Sequence, residues 1–219
     1  LDASTVTASD FTVTNGSAPS ISCTGSSCTV TTVAAAEGTV SITVSPTFSV
    51  SDVAGNATLG ATILADTQVT YDRAVTYDIT APTVTLEKAA GQADPTKTSS
   101  IAFAFTSNEG LDASTVTAGD FTATNGTVAS VTGSGTAFTV TVTATGQGAV
   151  TVAPSGTFSV SDVPGNATTT VGGTNRSVTF DSVAPTLTLA QAAGQSDPTK
   201  VSSISFTLSS NEALDGTTI

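Results

Sequence analysis

The sequence contains no histidine, methionine or tryptophan, and it has 5 lysines and arginines against 17 acidic residues. Without histidine, serine and cysteine triads lose their usual general base. No glycine-rich phosphate loop followed by a helix is present either. With a formal net charge of −12, the chain has no basic patch for nucleic acid or an anionic membrane. No apolar run approaches the roughly 18 residues of a membrane span. We therefore expect no catalysis, no nucleic-acid partner and no membrane span in this segment.

Charged residues make up only 10% of the chain, whereas the hydrophobic fraction is 38%. That fraction is too high for a disordered acidic tail. Apolar residues alternate with small or hydroxyl residues in segments such as Ile101–Phe105, Phe138–Val142 and Leu187–Leu189. An alternation of period two with β-branched enrichment predicts half-buried β-strands. We predict an all-β chain in which the 9 phenylalanines are core residues.

Long phrases of the sequence occur more than once. LDASTVTASDFTVTNG at Leu1–Gly16 returns as LDASTVTAGDFTATNG at Leu111–Gly126, and Leu214–Ile219 begins it a third time. Other phrases return in the same order: Thr47–Thr58 as Thr157–Thr168, Tyr77–Thr85 as Phe180–Thr188, and Ala89–Lys97 as Ala192–Lys200. A unit of roughly 100 residues has the size of a small domain and is too long for a solenoid repeat.

Two Ala-Pro pairs, Ala81-Pro82 and Ala184-Pro185, divide the chain. Proline restricts the preceding residue to extended conformations and cannot donate to a strand ladder. We predict a domain lacking its first strands over 1–80, a complete domain over 81–183, and the first strands of a third over 184–219. The predicted fold is a tandem of Ig-like antiparallel β-sandwiches, cut out of register with the repeat.

The two cysteines, Cys23 and Cys28, flank the short sequence Thr-Gly-Ser-Ser. A tight loop of this kind joins two strands and brings the cysteines within bridging distance, so we predict a disulfide across a hairpin. Two free thiols are the alternative. A four-ligand metal site lacks the further cysteine or histidine that it needs. A disulfide favours an oxidising, extracellular setting.

The segment Asp162–Asn166, DVPGN, predicts a type II turn. Pro164 presets φ at one central position and Gly165 supplies a positive φ at the next. In the other copy of this turn, Ala54 occupies the position of Pro164. Asp162 and its counterpart Asp52 are placed to accept hydrogen bonds from the amides of their own turns.

Each repeat offers the oxygen ligands that hard cations such as calcium prefer. The candidate calcium ligands are Asp52, Asn56, Asp78, Glu109, Asp162, Asn166 and Asp181. We expect these loops to meet at one pole of a sandwich, where an ion would fix the angle to the following domain. The alternative is that the acids cap turns and keep the chain soluble, since no cluster as dense as an EF-hand loop is present.

The phrases FTVTNG and SDVAGNAT and the linker pattern D-x-x-APT resemble the bacterial Ig-like repeats of large cell-surface adhesins. The resemblance covers essentially the whole chain. It implies β-sandwiches strung end to end as extracellular stalks, some of which bind calcium at domain junctions. The cysteine hairpin and the cut ends depart from the pattern.

Two functional interpretations follow. In the first, the chain is a structural extender of a bacterial surface adhesin or secreted repeat protein, and its partners are the neighbouring repeats. In the second, identical subunits assemble head to tail into a filament or surface layer. There, strands from 185–208 complete the truncated sandwich of the next subunit.

Overall fold

β-Strands make up about half of the described chain, and turns join many of them. The computed structural model describes residues 1–59 and 74–216. The chain divides into two units, the first formed by Leu1–Ala81 with Ser161–Asn166, and the second by Pro82–Val160 with Ala167–Ile219. Within the described residues, no helix is long and apolar enough to cross a membrane.

The first unit contains three small antiparallel sheets. Their strands are β1 (Phe11–Thr14), β2 (Ser20–Thr24), β3 (Ser27–Thr31), β4 (Gly38–Val44), β5 (Ser49–Ser51), β6 (Ala57–Leu59) and β7 (Ala74–Tyr77). One sheet has the order β1-β4-β7, and β2-β3 and β5-β6 are hairpins. Cys23 and Cys28 lie opposite each other in the β2-β3 hairpin and form a disulfide.

The strands after Ala81 build a two-layered structure. They are β8 (Val84–Lys88), β9 (Ser100–Leu111), β10 (Phe121–Thr124), β11 (Gly126–Ala144), β12 (Gly148–Pro154), β13 (Val160–Ser161), β14 (Ala167–Thr168), β15 (Val171–Gly172), β16 (Ser177–Phe180), β17 (Leu187–Gln191) and β18 (Phe206–Ser210). One sheet has the order β10-β12-β16 and the other β11-β9-β8-β15, while β13-β14 and β17-β18 are two-stranded. Strand β15 runs parallel to β8, and the other pairs in these two sheets are antiparallel.

The hydrophobic core of the second unit draws side chains from both of its larger sheets. Phe103 and Phe105 on β9 are fully buried, as are Val150 on β12 and Val178 on β16. The ring of Phe105 packs edge-on against that of Phe121, with centroids 5.2 Å apart. Because alternate residues of each strand supply this core, the predicted all-β sandwich class is confirmed.

The repeated phrase LDASTVTA opens with two single 3₁₀ turns, which the strand periodicity did not predict. They span Ala3–Thr5 and Ala8–Asp10, and again Ala113–Thr115 and Ala118–Asp120. An aspartate caps the first turn in each copy, since the amide of Ser4 donates to Asp2 and that of Ser114 to Asp112. Short polar side chains at such caps satisfy amides that have no partner within the turn.

The burial prediction is wrong for the β17-β18 hairpin. Phe206 is 64% exposed, and Leu187 and Leu189 are exposed as well. Leu208 is exposed too, so no layer in the described part of the chain covers the apolar side of this hairpin. Alternation correctly predicts the strands, but burial depends on whether an opposing layer is present.

Truncating the central aromatic ring tests this account of the core. Phe105 contacts three other phenylalanine rings, so Phe105→Ala should cost about 3–5 kcal/mol of unfolding free energy through lost burial and the cavity left behind. Thr139→Ala, on the exposed side of the adjacent strand, is the control and should change stability by less than about 0.5 kcal/mol. Urea unfolding measures both, and equal losses would contradict the assigned core.

Candidate functional site

The turn Ser161–Asn166 is organised around one buried carboxylate. Asp162 is only 2% exposed. Its Oδ1 accepts hydrogen bonds from the backbone N–H groups of Gly165 and Asn166, each at 2.7 Å. Its Oδ2 accepts from the Asn166 side-chain amide at 2.8 Å. Gly165 has a φ of 103°, so the positive φ expected at this glycine is present.

The other copy of the turn has similar bonding in a different environment, and one amide donor differs because Pro164, at the position of Ala54, has no N–H. Asp52 Oδ1 accepts from the backbone N–H groups of Ala54 and Asn56, at 2.9 and 2.8 Å. Its Oδ2 accepts from the Asn56 side-chain amide at 2.8 Å. Asp52 and Asn56 are exposed, in contrast to the buried Asp162. The turn therefore forms without burial, and burial is an added feature of the second copy.

The first unit brings a second predicted ligand to the buried turn. A carboxylate oxygen of Asp78 lies within 4.8 Å of one of Asp162. The side-chain amide of Asn166 also donates to the backbone carbonyl of Asp78, at 3.1 Å. Asp78 in turn accepts a bond from the N–H of Thr80 at 3.0 Å. Asp78, Asp162 and Asn166, all predicted as ligands, thus converge.

A further carboxylate, Glu37, was not among the predicted ligands. Its Oε2 accepts a 2.8 Å bond from the hydroxyl of Thr80, and its carboxyl interacts with that of Asp78. It immediately precedes β4, whose Gly38 pairs with Tyr77 beside Asp78. Gln147 occupies the same place before β12 and bonds to Ser182 in the second linker, but neither contact is evident from the sequence alone.

The crowding of these carboxylates perturbs their protonation. The Thr80 amide favours the charged form of Asp78, but the Glu37 carboxyl, partial burial and the Asp162 charge together raise its pKa. Hydrogen bonds, from Thr80 first and Asp78 second, lower the pKa of Glu37. Burial opposes the charge on Asp162, but the bonds from Asn166 and Gly165 outweigh it and lower its pKa. Asp162 is therefore held in its carboxylate form, whereas the charged form of the neighbouring Asp78 is disfavoured.

The remaining predicted ligands lie in the second unit. Glu109 is half-buried near the end of β9, and its N–H donates to the hydroxyl of Ser107. Asp181 is exposed and accepts a 3.1 Å bond from the N–H of Val183. Their membership of a calcium site stays a prediction.

The pair Asp78 and Asp162 has the chemistry of a divalent-cation site. Calcium takes oxygen ligands at about 2.3–2.6 Å, so two oxygens on one ion are separated by no more than about 5 Å. The separation of at most 4.8 Å between these carboxylates satisfies that condition. A cation there would also offset the negative charges of Glu37 and Asp162, which, after the Glu37 hydrogen bond and partial burial, contribute to the raised pKa of Asp78.

The chain matches no protein-family model, and neither a curated protein nor a solved structure is significantly similar to it.

Acid titration tests the role assigned to Asp162. Its folded-state pKa lies below the ordinary value of 3.8. Its contribution to stability is therefore present above that value and is lost as the pH falls through the folded pKa. Asp162→Asn should flatten the acid limb of unfolding free energy against pH.

Asp10→Asn is not a suitable control, because Asp10 belongs to a 3₁₀ turn. Asp52→Asn is the matched control, because it changes the same kind of turn where the aspartate is exposed. Urea unfolding across the acid range compares the variants. An unchanged acid limb in Asp162→Asn would contradict the assignment.

Proposed function

We propose that the chain is a structural segment, without catalytic activity, of an extracellular bacterial surface adhesin or secreted repeat protein. Folded β-sandwiches in series extend reach without the entropy of a disordered tether. The observation that carries this proposal is the recurrence of the same side-chain bonds at the acids of both copies. A unit whose hydrogen bonds are repeated in each copy is suited to serial repetition along a stalk.

Three pairs of aspartates illustrate that recurrence. Asp10 and Asp120 each accept bonds from the amide and hydroxyl of the threonine three residues earlier. Asp2 and Asp112 cap the first 3₁₀ turn, and Asp52 and Asp162 hold the DVxGN turn together. Since these carboxylates satisfy backbone amides, their repetition is explained by folding and requires no reaction.

The disulfide supports the extracellular part of the proposal. Cys23 and Cys28 are bonded across the β2-β3 hairpin, and such bonds persist in oxidising compartments. The sequence resemblance to bacterial Ig-like repeats of surface adhesins points to the same location.

Protease treatment of intact source cells tests this location. An impermeant protease should release peptides of this chain, and Cys23 and Cys28 should resist alkylation until they are reduced. A cytoplasmic protein of the same cells is the control and should stay intact. Peptides that appear only after lysis, with both cysteines alkylated without reduction, would contradict the proposal.

We also propose that Asp78 and Asp162 bind calcium in this structural role. The short separation of the two carboxylates and the raised pKa of Asp78 support this proposal. Backbone carbonyls and water supply the rest of the six to eight oxygens that calcium takes. Binding would stabilise the folded unit, because the unfolded chain does not hold the two carboxylates together.

Thermal unfolding in calcium and in a chelator tests the site. Free calcium at one hundred times the Kd should stabilise the protein by roughly 2.7 kcal/mol and raise Tm. Asp78→Asn should abolish the rise, whereas Asp52→Asn, in the exposed turn, should retain it. Equal Tm values for the unaltered protein in calcium and chelator would refute calcium binding.

A further inference from the structure

Five asparagines of the chain begin an Asn-x-Ser/Thr triplet, the acceptor pattern for N-linked sugars. They are Asn15, Asn56, Asn125, Asn166 and Asn175. Such triplets arise easily in a chain so rich in serine and threonine, so the pattern alone selects none of them. The structure separates them, because a sugar is attached at the side-chain amide nitrogen, which must be accessible and must tolerate a bulky group.

The asparagines that follow β1 and β10 use their side-chain amides to hold another segment of the chain. The Asn15 amide donates to the backbone carbonyl of Ala36 at 2.9 Å, and the Asn125 amide donates to that of Gly146 at 2.8 Å. Both asparagines have a φ of 56°, a left-handed conformation that is uncommon for a residue with a side chain. A sugar on either nitrogen would displace the bond that accompanies this conformation.

The asparagines of the two DVxGN turns are engaged as well. The Asn56 amide donates to Asp52 Oδ2, and the Asn166 amide to Asp162 Oδ2, each at 2.8 Å. An amide nitrogen carries two hydrogens, and a glycosidic bond replaces one of them. Asn166 uses both, since its amide also donates to the backbone carbonyl of Asp78. A sugar in either turn would compete with bonds that shape the turn.

Asn175 differs from the other asparagines of these triplets. It is exposed, and within the described part of the chain its side chain makes no hydrogen bond. The hydroxyl of Ser177, two residues later, is also exposed and has no bonding partner among those residues. The two groups that define the triplet, the amide and the hydroxyl, are therefore both accessible here.

The backbone around Asn175 is anchored while its side chain is left free. Asn175 lies in the short connection between β15 and β16. The guanidinium of Arg176 donates to the backbone carbonyls of Leu86 at 3.2 Å and Gly172 at 2.7 Å. The N–H of Lys88 donates to the backbone carbonyl of Asn175 itself. These bonds hold the connection against β8, so a group attached to the asparagine would extend into solvent without disturbing them.

We propose that Asn175 is a sugar-acceptor site, modified by a glycosyltransferase that uses a sugar activated by a diphosphate at its anomeric carbon. A bond forms between that carbon and Nδ2 of Asn175, and the bond from the carbon to the diphosphate oxygen breaks. The diphosphate leaves with the bonding electron pair, and the amide proton passes to a base of the transferring enzyme. The transfer involves no oxidation or reduction.

The inference goes beyond the structural and calcium-binding roles proposed above, and its test is separate from theirs. The sugar is detected as added mass on one peptide. Surface exposure is measured by protease release, and calcium binding by a change in Tm. Each result can fail or succeed independently of the others.

Peptide mass spectrometry of the chain purified from its source cells tests the proposal. The peptide that contains Asn175 should be heavier than its sequence by one or more sugar residues, and fragmentation should place the added mass on that asparagine. The peptides of Asn15, Asn56, Asn125 and Asn166 should carry no sugar. An Asn175 peptide found entirely at its unmodified mass would overturn the proposal.

Variants produced in the same cells test recognition of the triplet. Ser177→Ala should abolish the added mass although Asn175 is retained, and Ser177→Thr should keep it. Thr168→Ala is the matched control, because it removes the hydroxyl of the Asn166 triplet and should leave the sugar on Asn175 unchanged. Ser177 is exposed, so its variants should melt as the unaltered chain does. Added mass that persists on Asn175 in Ser177→Ala, or that appears on Asn166 in the unaltered chain, would contradict the assignment.

Discussion

An antiparallel sheet with one apolar side needs an opposing layer, and this requirement governs the rest of the structure. In the second unit β8 and β9 supply that layer, and Leu86, Phe103 and Phe105 are fully buried against the facing sheet. In the first unit the equivalent sheet leaves Val75 and Tyr77 exposed. Because apolar burial is the main favourable contribution to folding, strands of similar sequence gain different amounts of stability in the two units.

The acidic residues illustrate how local bonding and burial combine. A DVxGN turn forms around Asp52 in solvent and around Asp162 in a buried position, with equivalent hydrogen bonds. Local bonds are therefore sufficient to shape the turn. Asp162 in the buried copy lies beside Asp78, and its negative charge is one of the causes that raise the pKa of Asp78. In the calcium binding that we propose, a turn with a folding role also supplies a metal ligand.

Period-two alternation and β-branched residues were enough to predict the strands, as for Ile101–Phe105 in β9. They did not predict exposure at Phe206, because that depends on a layer distant in sequence. The carboxylate–amide bonds of Asp162 could be predicted since they lie within five consecutive residues. The approach of Glu37 to Thr80 could not be read from spacing, because pairing of β4 with β7 creates it.

Hydrogen–deuterium exchange of backbone amides tests most directly the claim that an opposing layer decides stability. In the 219-residue chain, amides of β12 and β16 should exchange slowly, and those of β4 and β7 much faster, although both pairs of strands have the same register. Equal, slow exchange of both strand pairs would contradict the account.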